Sequence, residues 1–159
     1  MAKAKGKGRR TKASKPSKSG AKKTVKSGRI AAPKVVKTGR GPGAAEIGAS
    51  LVSMFNAGKL EAIEKKWWSP AIESIEGVGV AMSWKGEQAV RAKGAEWMAS
   101  HRIHGASAEG PYVGATGFAV KLRMDVEDTK TGQRTMMEEV GVYTVMNGKI
   151  VREEFMYGG

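Results

Sequence analysis

The stretch from Arg134 to Tyr157, R-T-M-M-E-E-V-G-V-Y-T-V-M-N-G-K-I-V-R-E-E-F-M-Y, decides how the chain is read. Two runs rich in Val, Ile, Tyr, Phe and Thr flank Asn147-Gly148. Asn-Gly suits the two consecutive positive-φ positions of a type I′ turn, so the stretch reads as a β-hairpin. A two-residue turn sets Met146 opposite Lys149, Thr144 opposite Val151, Val142 opposite Glu153, Val140 opposite Phe155 and Glu138 opposite Tyr157. These residues share one face, which carries Met136, Val140, Val142, Val151 and Phe155 and is the expected inner surface. The other face holds Met137, Glu139, Gly141, Tyr143, Val145, Ile150, Arg152, Glu154 and Met156, a mixed surface suited to water or a second subunit. A slip of one residue would exchange the two sets.

Upstream of the hairpin, Phe118, Val120, Leu122, Met124 and Val126 alternate with Ala119, Lys121, Arg123, Asp125 and Glu127, the pattern of a half-buried strand. Asp128 to Gly132 turns this strand into the hairpin. His101 to Ala108 reads as a strand, with Gly110-Pro111 a break or bulge. Before it, Glu87 to Ser100 is a helix with Val90, Gly94, Trp97 and Met98 inward, and Gly94 is a place for close approach of a strand or ligand. Gly77 to Trp84 is ambiguous, and Ala71 to Glu76 is a short strand. Two helices lead: one with Ile47, Leu51, Met54 and Phe55 on a single stripe, ending at Gly58, and one with Leu60, Ile63 and Trp67, stopped at Ser69-Pro70. Helix, helix, strand, helix and four long antiparallel strands call for an α+β domain with helices on one face of a curved sheet.

Charge divides the 159 residues at Gly43. Residues 1–43 hold fifteen Lys or Arg and no acid, whereas residues 44–159 hold thirteen basic and fifteen acidic residues, so the net +13 is +15 from the first part and −2 from the second. The basic segment is rich in Lys, Ala, Gly, Ser and Pro and cannot bury enough apolar surface to offset its ordering entropy, so disorder is expected there. Its composition resembles the tails of linker histones and histone-like bacterial proteins. Lys3, Lys5, Lys7, Arg9, Arg10, Lys12, Lys15, Lys18, Lys22, Lys23 and Lys26 would bind DNA or RNA by counterion release, without reading bases. A solubilising tail is the alternative.

Residues 44–159 are enough for one domain with a real core. The chain has no cysteine, which rules out disulfides, thiolate metal sites and cysteine nucleophiles. No apolar run approaches the roughly 20 residues of a membrane span, and Met1 to Gly8 lacks the apolar region of a secretory signal. The expected location is cytoplasmic, in association with the nucleoid if the tail binds DNA.

The two leading helices, G-E-Q-A-V-R-A-K-G-A-E-W in the third, the strand F-A-V-K-L-R-M-D-V, the turn T-G-Q-R, M-E-E-V-G-V-Y-T-V and the ending N-G-K-I-V-R-E-E-F together resemble a SnoaL-like domain of the nuclear transport factor 2-like superfamily. Ketosteroid isomerase and polyketide cyclases belong to that superfamily as well. The resemblance covers roughly Ala44 to Tyr157. It implies a cone, a curved sheet wrapped around a helix with an apolar pocket in its mouth, commonly dimeric through the sheet's outer face. It does not fix an activity, because the same fold hosts isomerases, cyclases, dehydratases and binders.

Three residues are candidates for chemistry. Glu138, on the expected inner face, would be a desolvated carboxylate with its pKa raised from roughly 4.3, usable as a general acid or base. Tyr157 opposite it makes a pairing similar to the pocket acid and tyrosine of ketosteroid isomerase. His101 and His104 point to opposite faces of their strand, and the resemblance favours His104 as the pocket residue, able to relay a proton. Trp68, Trp97, Val140, Val142 and Phe155 are the expected pocket walls, the tryptophans being equally at home in the core. Two histidines without cysteine make a zinc site improbable, and neither a phosphate-binding glycine loop nor a nucleotide fingerprint is present, so no metal and no cofactor are expected. Two readings stay open. One is a pocket enzyme doing acid/base chemistry on an apolar carbonyl-containing ligand. The other is a non-catalytic dimeric binding module tethered to nucleic acid by its tail.

Overall fold

The computed structural model describes residues 41–77 and 82–157. The basic segment and its candidate nucleic-acid-binding residues, Lys3 to Lys26, lie outside the described residues. The described elements are α1 (Ala44–Asn56), α2 (Leu60–Trp67), β1 (Trp68–Glu76), β2 (Met82–Lys85), α3 (Glu87–Ser100), β3 (His101–Val113), β4 (Gly117–Asp128), β5 (Arg134–Met146) and β6 (Lys149–Tyr157). The strands form one mixed sheet in the order β2-β1-β6-β5-β4-β3, antiparallel except where β1 runs parallel to β6. This is the expected α+β architecture, with β1 longer than the sequence suggested and β2 falling in the ambiguous stretch.

The inner face of the sheet is set by β4. Phe118, Val120, Leu122 and Val126 are buried, and their β5 partners are Tyr143, Gly141, Glu139 and Thr135. Against this face α1 lays Ile47, Leu51 and Phe55, α2 adds Ile63 and Trp67, and β1, α3 and β6 contribute Ile72, Val90 and Ile150. Gly48 in α1 permits the approach: a Cβ there would stand 2.8 Å from Pro111 Cβ and 3.0 Å from Phe118 Cγ.

The hairpin confirms the turn and corrects the facing. Asn147 (φ 51°) and Gly148 (φ 74°) both have positive φ, and Met146 opposes Lys149 as expected. Val145 then pairs with Ile150 but Thr144 with Arg152, so Val151 is an extra residue in a β-bulge. The bulge reverses the alternation of β6, and Ile150, Glu153 and Phe155 all serve the inner side. On β5 the inner residues are Gly141, Tyr143 and Val145, while Val140, expected inside, is exposed and Val142 only half-buried. Apolar count favoured the wrong face because Gly141 counts as nothing. In the fold it makes room for an aromatic ring, since a Cβ on Gly141 would lie 2.9 Å from Tyr143 Cε2. That ring stacks on Phe118 at 5.0 Å and meets Phe155 edge-on at 6.1 Å.

Candidate functional site

Beyond the end packed by α1, the inner face opens into a cavity of about 890 Å³. Its walls are largely apolar. α2 contributes Leu60, β2 Met82 and Trp84, α3 Gly94, Trp97 and Met98, β3 Ile103, β4 Met124, β5 Met137 and β6 Tyr157. Trp97 is fixed by stacking on His101, 4.4 Å between centroids, while His101 Nδ1 sits 2.9 Å from the Trp97 carbonyl oxygen. Gly94 opens on free space, with nothing within 4 Å of a Cβ placed there. It therefore widens the cavity instead of seating a strand.

The polar groups are concentrated on β1, α3 and β5. Glu139 projects from β5 into the cavity opposite Tyr157 of β6. Burial, with the charge of Glu76 adding to it, pushes its carboxyl up to about 7, only partly offset by Lys93. Lys93 reaches across from α3 and donates to Ser74 Oγ at 2.9 Å and to Glu76 Oε1 at 2.6 Å. The Trp84 and Phe155 rings flank its ammonium at 5.4 and 5.2 Å. Glu153, buried and opposite Ser74 in the parallel register, is also raised to about 7 by burial, against the pull of Lys93 and of the Ser74 hydroxyl. The Tyr143 hydroxyl is held far above its ordinary range by burial and by the acids Glu153, Glu139 and Glu76. At the rim, Arg91 binds Glu64 and Glu87, and burial raises Glu64 in spite of that cation. Among the described residues no cluster of three acidic or histidine side chains is arranged to hold a metal ion.

Of the three sequence candidates, the structure brings only Tyr157 to the cavity. Glu138 lies on the outer face, 2.9 Å from Lys121 Nζ and 2.8 Å from Arg123 Nε, and the Lys121 hydrogen bond and the Arg123 charge lower its pKa. Its expected place inside is taken by Glu139. His104 is the bulged residue of β3, between Ile103 and Gly105, and its Nε2 meets Glu127 on the outer face, with Arg102 nearby. Among the expected walls, Trp97 lines the cavity. Phe155 packs on the core, Trp68 sits beneath the Arg91 guanidinium at 5.4 Å, and Val140 and Val142 face outward.

Glu139, Lys93, Glu76, Ser74 and Glu153 are the site residues that sequence reasoning missed. Lys93 had a legible signal. It stands three residues after Val90 and one before Gly94, on the inward stripe of α3, where a charge demands a partner. Glu139 could have been found from β4, because the four-residue turn after Asp128 sets even-numbered β4 residues against odd-numbered β5 residues.

An apolar cavity in the mouth of a helix-covered mixed sheet, with an acid of raised pKa inside, defines a small-molecule pocket domain. The model of the SnoaL-like domain matches residues 43–157, and the chain belongs to this family. A solved structure from Mesorhizobium loti, described as a candidate SnoaL-like polyketide cyclase and also as a carbohydrate phosphatase, is 38% identical over 70% of this chain and 96% of its own, with a TM-score of 0.65. A candidate SnoaL-like polyketide cyclase from Jannaschia sp. CCS1 is 15% identical over 74% and 89%, TM-score 0.63. A candidate isomerase from Bacillus subtilis is 15% identical over 72% and 86%, TM-score 0.57. The last two share the fold. No curated protein matches the chain. No helix among the described residues is long and apolar enough to cross a membrane.

Proposed function

We propose that the domain is a cofactor-independent acid/base enzyme acting on an apolar, carbonyl-containing small molecule, with Glu139 as the proton carrier. The observation that carries this reading is one carboxyl, raised to about 7 by burial, inside a largely apolar cavity of about 890 Å³. An acid poised near neutral pH both accepts and returns a proton efficiently. The Glu139 carboxylate takes a proton from the carbon beside the carbonyl, the electrons of that C–H bond move into an enolate, and the Glu139 carboxylic acid returns the proton to a different carbon. Atoms and charge balance without a cofactor. A phosphate ester is a poor fit: the lining carries Glu61, Glu64, Glu76 and Glu139 against Arg91 and Lys93, an excess of negative charge that would repel a phosphate.

Tyr157, paired with Glu139 across β5 and β6, is the ligand-orienting hydroxyl of this proposal. The outer face, with exposed Met136, Val140 and Met156 beside the Lys121–Glu138–Arg123 ladder, is offered as the homodimer surface. The basic segment is offered as a non-specific DNA or RNA tether, on its fifteen cations and absence of acids. Its affinity should fall steeply with salt and vanish when residues 1–43 are deleted.

The function is tested by screening apolar ketones and polycyclic enones for thermal stabilisation of the full chain, since a pocket ligand at 100 times its Kd adds about 2.7 kcal/mol. Hits are then assayed for proton exchange at the carbon beside the carbonyl in deuterated buffer. Exchange that is lost in Glu139→Gln and kept in Glu138→Gln supports the reading. Ligands that bind without exchange would favour the non-catalytic binding module.

A further inference from the structure

Lys93 is placed unlike the other cation of the cavity. Arg91 uses three of its five N–H donors on Glu64 and Glu87 at the rim, whereas Lys93 is the cation whose charge acts on Glu139. The Lys93 ammonium has three N–H donors, of which Ser74 Oγ and Glu76 Oε1 take two. The third has no hydrogen-bond acceptor among the described residues, and Lys93 lines the cavity. The side chain rises from the inward stripe of α3, and its ammonium lies over the Trp84 and Phe155 rings. Ser74 is fully buried, and Glu153 backs it in the neighbouring strand. The groups facing the ammonium are thus Glu76 and Ser74 from β1, Glu139 from β5, Glu153 from β6 and Glu64 from α2.

We infer that Lys93 is a further catalytic residue, whose third N–H binds the ligand oxygen that becomes anionic when the proton leaves carbon, with Ser74 and Glu76 as its positioning residues. This rests on the acid/base reading of the cavity. When Glu139 takes the proton it becomes neutral, and the negative charge passes to the ligand oxygen. Lys93, the cation that acts on Glu139, then has a donor to offer that oxygen. A donor already held in place by two strand residues and two rings needs little reorganisation as charge develops, which is how preorganised sites stabilise an oxyanion.

The test uses 4-nitrophenol as a mimic of the enolate oxygen and nitrobenzene as its uncharged counterpart, both titrated into the full chain. The nitrophenolate anion absorbs in the visible and the neutral phenol does not, so the spectrum reports which form is bound. The expected result is bound phenolate at a pH where the free compound is mostly neutral. Lys93→Met should weaken phenolate binding about ten- to hundred-fold, the worth of a hydrogen bond to a charged group, and leave nitrobenzene binding nearly unchanged. Ser74→Ala keeps every charge and should weaken phenolate binding several-fold, which keeps the test decisive if Lys93→Met does not fold. Nitrobenzene binding with a phenolate signal indifferent to both variants would overturn the role of Lys93 and leave the pocket intact. If neither compound binds the native chain, the pocket reading fails and this inference fails with it.

Discussion

On the outer face of β5 the Glu138 carboxyl is exposed to water and held by Lys121 and Arg123, which keep its pKa low. One residue later the Glu139 carboxyl enters a cavity walled by Trp, Met and Ile, and burial pushes it up to about 7. The same side chain on the same strand is a charged surface group in one place and a titrating acid in the other. The difference is made by the pleat, which sends consecutive residues to opposite faces. The outer face then pairs its charges across strands: Arg134 with Asp125, Arg102 and His104 with Glu127, Lys121 and Arg123 with Glu138. Among the described residues, the inner face collects acids around one ammonium, that of Lys93.

The contrast should be largest in packing. Leu122 is buried at the centre of β4, so Leu122→Ala should cost about 2–5 kcal/mol in a urea titration. Its neighbour Arg123 is exposed, and Arg123→Ala should change stability by no more than about 0.5 kcal/mol. Similar losses from the two would contradict the facing of the sheet.

Next in size is the response to pH. Glu139 and Glu153 each bind a proton more tightly in the folded chain, near 7 against a usual 4.5. The unfolded chain therefore holds fewer protons between those values, so each acid's contribution to stability is complete below about pH 4.5 and declines as pH rises to about 7. Glu139→Gln and Glu153→Gln should each stabilise the protein by about 1–3 kcal/mol at pH 8 and by little at pH 5. Glu138→Gln should show no such pH-dependent gain. A gain for Glu138→Gln, or none for the two inner acids, would break the comparison.

The smallest effect belongs to Gly94. An added Cβ meets no atom within 4 Å, so Gly94→Ala should stabilise α3 by about 0.5–1 kcal/mol. The methyl group would also intrude on the cavity, and ligands found by thermal screening should bind the variant less well.

These residues also show where the sequence was legible. Asn147-Gly148 dictated the turn, β4's alternation named the inner residues of that strand, and the stripe Ile47, Leu51, Phe55 marked the face of α1. Those features depend on local chemistry and simple periods. The facing of β5 depended on non-local facts. Val151 adds a residue to β6, and Gly141 is inward because the Tyr143 ring needs its space. A count of apolar residues sees neither effect. It placed Val140, Val142 and Glu138 inside and missed Glu139. His104 was displaced in the same way, by a bulge in β3 that the run from His101 to Ala108 did not signal. The polar network around Lys93 joins β1, α3 and β6, elements distant in sequence, and only the parallel pairing of β1 with β6 brings Ser74 beside Glu153.

The central claim is that Glu139, and not Glu138, is the proton-carrying acid of the cavity. Its most direct test is a carbon-13 NMR titration of the glutamate side-chain carboxyls in the full chain, with the two signals assigned through Glu138→Gln and Glu139→Gln. The account predicts a Glu139 midpoint at about 7 and a Glu138 midpoint below 4.5. A normal midpoint for Glu139, or a raised one for Glu138, would contradict it.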